Sequence, residues 1–116
     1  MIRKKEECKV EYREHMRDGD GTVELKGLIA SDEELCNKGR LFSHVRLKPG
    51  TSIGYHVHEN DSELFYILKG KAEYSDNGDI VNVSAGDVAI CPPGTGHGIA
   101  NRTDEDVEFI AVIVYK

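Results

Sequence analysis

The sequence has few of the features that mark membrane-spanning, exported or nucleic-acid-binding proteins. None of its apolar runs approaches the roughly 20 residues of a membrane-spanning helix. Residues 1–16 also lack the apolar stretch of a signal peptide. Lysine and arginine number 15 against 21 aspartates and glutamates, for a net charge of −6, and no basic stripe that could contact nucleic acid is present. We therefore expect neither a membrane nor a nucleic acid as partner.

Cysteine is scarce as well. Cys8, Cys36 and Cys91 are odd in number and far apart in the chain, which disfavours a disulfide framework and a zinc-finger site. Reduced thiols are the simplest explanation, so we expect a cytoplasmic protein. Cys91 is expected to be a small buried hydrophobic residue rather than a metal ligand or a nucleophile.

Helix-forming patterns are nearly absent, and short segments rich in Val, Ile, Phe and Tyr alternate with turn signals. Asn77-Gly78 is the strongest of those signals, because both residues tolerate the positive φ angles of a type I′ hairpin. No repeat or low-complexity linker divides the 116 residues. The pattern predicts one all-β domain, either a sandwich or a barrel.

Two segments do not follow the strand pattern. Residues 1–22 are polar, and we expect a loose N-terminal arm or an edge strand added to a neighbouring subunit, with the barrel formed by 23–116. Residues 31–39 predict one or two helical turns that begin after Ser31 or Asp32 and stop at Gly39.

The final segment, "VEFIAVIVYK" at 107–116, is apolar on both faces from Phe109 to Val114. A half-exposed strand would alternate apolar and polar residues instead. We expect the barrel interior to cover one face, and a second sheet or a partner subunit to cover the other. The pattern favours a homodimer.

Three histidines and one glutamate are candidate metal ligands. His56 and His58 are two residues apart, so they share one face of a strand. Glu63 follows a turn-forming stretch, and a hairpin there would let it point to the same side. His97 follows the turn "PPGTG", whose prolines and glycines favour a sharp reversal that would return the chain beside the first pair.

Three imidazoles and a carboxylate suit Mn, Fe, Co, Ni, Cu or Zn better than the oxygen-seeking Ca and Mg. Four protein ligands on an octahedral ion would leave two positions for water or substrate. The alternative for each residue taken alone is a hydrogen-bonded structural role inside a barrel.

The spacing of these residues resembles the two sequence motifs of the cupin superfamily. Both motifs are complete: G-x5-H-x-H-x4-E-x6-G is filled by Gly50, His56, His58, Glu63 and Gly70, and G-x5-P-x-G-x2-H-x3-N by Gly86, Pro92, Gly94, His97 and Asn101. The resemblance is to small single-domain bacterial cupins. It implies a jelly-roll barrel, also called a double-stranded β-helix, that holds a divalent transition metal through His56, His58, Glu63 and His97.

The reaction is not fixed by the resemblance, because function depends on the site and not on the fold. A metal-dependent dioxygenase, decarboxylase or isomerase acting on a small carboxylate, keto or sugar-derived molecule is favoured. The alternative is a small-molecule or metal-binding module without turnover. Oxalate-handling cupins carry an arginine three residues before the first metal histidine, where this chain has Ile53, so an oxalate-specific site would lack its substrate clamp. A phosphosugar isomerase would need a cationic cluster, and none lies near the motifs.

Two further residues are candidates for catalysis. His44 and Arg46 alternate with Phe42 onto one face of the segment "RLFSHVRLK". If that face lines the barrel, Arg46 could hold a substrate carboxylate and His44 could transfer protons. Otherwise both residues face solvent or a partner subunit.

Overall fold

The computed structural model describes residues 1–116, which form ten strands and three short 3₁₀ helices. The strands are β1 (Val10–Glu14), β2 (Thr22–Gly27), β3 (Gly39–Leu47), β4 (Ser52–His58), β5 (Asp61–Lys69), β6 (Lys71–Asp76), β7 (Asp79–Ser84), β8 (Val88–Cys91), β9 (Thr95–Ala100) and β10 (Val107–Tyr115). The 3₁₀ helices are Lys5–Glu7, Met16–Asp18 and Asp32–Leu35. None of them has the length and apolar character needed to cross a membrane.

The strands form two antiparallel sheets that face each other across one core. The six-stranded sheet has the order β1-β2-β3-β10-β5-β8, and the four-stranded sheet has the order β4-β9-β6-β7. Both sheets contribute to one apolar cluster, with Phe109 and Ile67 from the first and Tyr74 and Ile99 from the second. The prediction of an all-β jelly-roll is confirmed.

The hairpin between β6 and β7 forms where the sequence predicts it. Asn77 and Gly78 have φ angles of 50° and 99°, and the flanking pair Asp76 and Asp79 lie opposite each other. Positive φ at both central residues is the requirement of a type I′ turn. The turn therefore fixes the register of this edge of the four-stranded sheet.

The N-terminal segment pairs with its own chain. β1 lies antiparallel to β2, from Val10 opposite Lys26 to Glu14 opposite Thr22, and forms one edge of the six-stranded sheet. β1 is therefore an edge strand of the chain's own sheet.

The helical segment after residue 31 is shorter than predicted. It ends at Leu35 because Cys36 and Asn37 both adopt left-handed conformations, with φ angles of 56°. Gly39 does not stop a helix but begins β3. Any Cβ there would overlap the carbonyl oxygen of Ile113, so glycine allows β3 to approach β10 closely.

β10 is a central strand between β3 and β5. Its inward residues, including Phe109 and Ala111, are buried, whereas Ile110 and Val112 on its outer face are only half-buried. The outer face continues across β5 and β8, where Tyr66, Val88 and Ile90 are 48%, 57% and 56% exposed. We call this surface the outer apolar patch; its residues are Leu64, Tyr66, Val88, Ile90, Ile110 and Val112.

Candidate metal centre

The two sheets bring the four predicted ligands together in the core. His56 and His58 lie on β4, and His97 lies opposite His56 on β9. Glu63 comes from β5 of the other sheet, after the short turn that joins β4 to β5. One donor atom from each of the four residues lies within 4.8 Å of the others. The hairpin after His58 therefore places Glu63 on the side of the histidines, as expected.

A β-bulge aligns His56 with the core. The pairing of β4 with β9 shifts between Ile53 and His56, so three residue steps on β4 match two on β9. Without this extra residue, Ile53 and His56 would face opposite sides of the strand. With it, both contribute to the same interior cavity. Alternation of residues along the strand does not predict this bulge. The signal for it in the sequence is Gly54, because glycine within a strand often marks a bulge.

Hydrogen bonds on the far side of two histidine rings fix which nitrogen faces the centre. The Nδ1–H group of His56 donates to the carbonyl oxygen of Gly54 at 2.8 Å. The Nδ1–H group of His58 donates to Oδ1 of Asp61 at 2.7 Å. Because the proton of each neutral ring is used there, Nε2 of both rings presents a lone pair to the centre.

Tyr74 has the corresponding position behind His97. Its hydroxyl lies 2.8 Å from Nδ1 of His97, and burial raises its pKa, so the phenol keeps its proton. A hydroxyl can accept from Nδ1–H, which again leaves Nε2 free for a ligand role. Asp61 and Tyr74 are functional candidates that the sequence patterns alone did not predict. Asp61 was the easier of the two to find from the sequence, because it lies three residues after His58 in the turn-forming stretch.

The donor atoms crowd one another in a way that suits a cation. Oε1 of Glu63 lies 2.9 Å from Nε2 of His97, 3.1 Å from Nε2 of His58 and 3.9 Å from Nε2 of His56. The Nε2 atoms of His58 and His97 are 3.2 Å apart. The neutral His58 ring carries its single proton on Nδ1, so no proton lies between its Nε2 atom and Oε1 of Glu63, and these two electron-rich atoms repel each other. A positive ion would relieve this repulsion, and the mixture of donors fits a first-row transition metal.

The electrostatics of the cluster favour the protonation states that bind metals. Burial alone would raise the pKa of Glu63, but hydrogen bonds and positive charge from the imidazoles of His56 and His97, when these rings carry a proton on Nε2, outweigh it and lower that pKa from 4.5 to about 2. An ion held by the neutral rings would supply the same positive charge. Burial also lowers the pKa of His97, against the attraction of Glu63. At neutral pH the carboxyl is therefore ionised and the His97 ring is neutral, as metal ligation requires.

An apolar cavity of about 30 Å³ adjoins the cluster, with room for about two water molecules. Glu63 and His56 are its polar lining residues, and none of the lining residues is a lysine or an arginine. The remaining lining residues are Met16, Leu25, Leu41, Val45, Ile53, Phe65, Phe109 and Ala111. Ile53, which replaces the arginine of oxalate-handling cupins, is part of this wall.

The structure does not bring His44 and Arg46 to this cavity. The face of β3 that lines the core carries Val45 and Leu47, so the alternate residues point outward. Nε2 of His44 lies 2.9 Å from a carboxylate oxygen of Glu108 on β10. Arg46 lies 3.7 to 4.0 Å from three carboxylates on the same outer face, those of Glu24, Asp106 and Glu108. The condition for a catalytic role, a barrel-lining face, is not met.

Cys91 is buried, with its thiol directed at Thr95 rather than at the cluster. Burial raises the pKa of this thiol. It therefore stays protonated at neutral pH, in keeping with its expected role as a small hydrophobic residue.

The chain resembles known proteins in both sequence and structure. Residues 43–113 match the cupin domain family. The chain is 42% identical over 114 residues to an oxalate-binding protein of Thermotoga maritima, across 98% of this chain and 93% of the relative. It is 30% identical to an oxalate decarboxylase of Arthroderma benhamiae over 90% of this chain, which corresponds to only 27% of that larger protein.

A solved structure resembles this chain over its full length. A crystal structure described as a predicted oxalate decarboxylase from Thermotoga maritima superposes with a TM-score of 0.94 and 41% identity, covering all of both chains. Together with the motifs and the barrel, these matches show that the chain belongs to the cupin family.

Proposed function

We propose that the protein binds a divalent transition metal through His56, His58, Glu63 and His97 and holds a small carboxylate, such as oxalate, at the open coordination positions. The observation that carries this proposal is the convergence of imidazole lone pairs on a buried carboxylate, with the ring protons of His56 and His58 engaged elsewhere. The similarity to an oxalate-binding protein over nearly the whole length of both chains supports the choice of ligand.

The cavity supports a ligand that is small and held mainly by the metal. No cationic side chain lines it, so a ligand carboxylate would have the ion as its main counter-charge. A dicarboxylate or 2-keto acid can chelate an ion through two oxygens, which makes an arginine clamp unnecessary. Ile53 would then only form part of the cavity wall, and the ion would bind the ligand carboxylate.

A decarboxylase is a second candidate, supported by the similarity to the Arthroderma benhamiae enzyme. Decarboxylation and isomerisation both require a proton to be moved by a nearby group. The cavity lining offers only His56 and Glu63, which are proposed ligands, while Asp61 and Tyr74 are engaged behind the histidines. Binding without turnover is therefore favoured over decarboxylation and isomerisation.

The metal site is tested by elemental analysis of protein loaded with manganese or zinc. We expect about one ion per chain in the wild type and loss of most of it in His58→Ala and Glu63→Ala. His44→Ala is the matched control, because it removes an imidazole on the outer face of β3 and should keep the ion. Equal metal content in all four proteins would refute the site.

Ligand binding and turnover need separate measurements. Calorimetric titration of oxalate should give binding to metal-loaded protein and none to metal-free protein; equal binding to both would contradict the proposal. Release of carbon dioxide or uptake of oxygen from the same mixtures would instead establish the enzyme alternative.

We further propose that the outer apolar patch pairs with a second copy of the chain. Cross-strand neighbours make the patch continuous: Ile110, Tyr66 and Val88 form one row, and Val112, Leu64 and Ile90 the next. Monomers rarely expose a contiguous apolar surface of this kind, and two identical patches related by a two-fold axis can cover each other.

Sedimentation of the wild type should give the mass of a dimer, and the double variant Val88→Lys/Ile90→Lys that of a monomer. Val57→Lys, an exposed valine on the outer face of the other sheet, is the control and should stay dimeric. A monomeric wild type would refute the pairing.

We also propose a cytoplasmic location, because the free thiols of Cys8, Cys36 and Cys91 persist best under reducing conditions. Recovery of the protein from an oxidising compartment would contradict it.

A further inference from the structure

One partly exposed side chain of the cavity beside the proposed metal ligands does not come from a strand of either sheet. Most lining residues of the cavity are buried, and the three that keep solvent exposure are Met16, Leu41 and His56. Leu41 and His56 belong to β3 and β4, whose positions are fixed by sheet hydrogen bonds. Met16 belongs to the short 3₁₀ helix between β1 and β2, which is part of neither sheet, and packs against the apolar core.

The segment that carries Met16 has an unusual backbone. His15, Arg17 and Asp18 all have left-handed conformations, with φ angles of 50°, 54° and 63°. Non-glycine residues adopt such angles at a cost in free energy, and clusters of them persist only where surrounding contacts enforce them. Strain of this kind concentrates at ligand clamps and gates.

Close packing against β4 enforces this conformation. A Cβ on Gly54 would overlap the carbonyl oxygen of Arg17, and a Cβ on Gly19 would overlap the carbonyl oxygen of Ser52. Two glycines thus let the segment lie directly on the bulged part of β4. The carbonyl oxygen of Gly54 also accepts the hydrogen bond that orients the His56 ring. The segment therefore packs against the residue that positions a proposed metal ligand.

We propose that Met16 is the size-determining residue of the cavity and covers its mouth as a movable side chain. This inference rests on the proposed function, since it concerns ligands bound at the metal. The present volume of about 30 Å³ is too small for a chelating ligand unless a lining residue moves. The methionine side chain is unbranched and has three rotatable bonds, so it can move at lower cost than the branched and aromatic side chains of the cavity, while the backbone beneath it stays packed against β4. Small chelators are admitted, and those with bulky tails are excluded by the thioether.

The test uses zinc-loaded protein and ligands with one chelating group and a growing tail. Pyruvate and phenylpyruvate share the keto-acid head, and oxalate serves as the small reference. In calorimetric titrations, the wild type should bind oxalate and pyruvate at least tenfold more tightly than phenylpyruvate. Met16→Ala should raise the affinity for phenylpyruvate at least tenfold and leave that for oxalate within about twofold.

Two variants serve as controls. Met16→Leu conserves the side-chain volume and should behave as the wild type. Val57→Ala removes a similar amount of apolar side chain from the exposed face of β4 and should also leave the preference unchanged. Phenylpyruvate binding that is the same in the wild type and Met16→Ala would overturn the inference.

A ligand-independent measurement separates this inference from the proposed function. A bulky coloured chelator, pyridylazoresorcinol, should extract zinc at least fivefold faster from Met16→Ala than from the wild type or Met16→Leu. If the wild type binds none of the three ligands, the proposed function fails while the extraction rate still tests Met16. If ligands bind but neither affinity nor extraction rate changes in Met16→Ala, the role of Met16 fails alone.

Discussion

The hydroxyl of Tyr74 lies 2.8 Å from Nδ1 of His97, on the side of the ring away from Glu63. Both residues are almost completely buried, with 3% and 1% of their surface exposed. The ring of His97 also stacks on Phe65 with its centroid at 5.0 Å. A buried tyrosine and a phenylalanine therefore hold this imidazole with Nε2 toward the centre.

Replacement of Tyr74 by phenylalanine tests that support. We expect Tyr74→Phe to keep the fold but to weaken metal binding by about 10- to 100-fold, because Nδ1 of His97 loses its buried partner. The measurement is competition for zinc against a chelator of known affinity. Tyr66→Phe, on the exposed face of β5, is the matched control; equal affinities in the two variants would show that the hydroxyl does not position His97.

Asp61 should contribute to metal binding through its hydrogen bond with His58 and not through its ion pair with Arg40. Asp61→Ala removes the acceptor of the His58 Nδ1–H group, and we expect a loss of about 10- to 100-fold in zinc affinity. Arg40 lies 2.9 Å from the other carboxylate oxygen but is partly exposed, so Arg40→Ala should change affinity less than threefold. A larger loss in Arg40→Ala than in Asp61→Ala would contradict this assignment.

Acid should destabilise the metal-free protein in two stages. The folded-state pKa of His97 is lowered by burial, so below about pH 6.5 the unfolded chain binds a proton that the folded chain does not, and stability falls. The pKa of Glu63 is lowered from 4.5 to about 2. Its contribution, on the order of 3 kcal/mol, is therefore present above pH 4.5 and lost as the pH falls toward 2.

Urea unfolding of metal-free protein at a series of pH values between 7 and 3 measures this dependence. Glu63→Gln should show a smaller fall in stability below pH 4.5, because Asp61, whose pKa is lowered by Arg40 and His58 despite burial, still contributes there. It should keep the stage below pH 6.5. Unfolding free energies of the wild type that stay constant over the whole range would be inconsistent with both shifts.

The bulge on β4 should tolerate no side chain at Gly54. Gly54→Ala places a Cβ against the carbonyl oxygen of Arg17, and we expect a loss of about 3 kcal/mol or more in unfolding free energy together with weaker metal binding. Gly94→Ala is the control, since its position has a φ angle of 86° but open space around it. That variant should cost about 1 to 2 kcal/mol, from backbone strain alone. Thermal or urea unfolding compares them, and equal losses would argue against steric contact at Gly54.

Local sequence patterns predicted much of the site. Alternation along a strand placed His56 and His58 together, and the turn after His58 explained how Glu63 joins them. Both inferences depend only on residues close together in the chain. The match to both motifs added His97, which local reasoning could only suggest through the turn before it.

The parts that the sequence did not predict depend on contacts between distant segments. The face of β3 that lines the core is decided by packing against β10 and the opposite sheet, so alternation alone could not place His44 and Arg46. Met16 reaches the cavity only because β1 pairs with β2 and carries the intervening turn over β4. The bulge at Gly54 likewise shows itself only in the pairing of β4 with β9.

The division of the ligands between the two sheets gives a bound ion a mechanical role. Glu63 projects from the six-stranded layer and the three histidines from the four-stranded layer, so coordination would link the two layers to each other. An ion held in this way would act as a cross-link between the two sheets, and its removal would weaken their packing. Metal supply would then set the lifetime of the folded chain as well as its capacity for ligands.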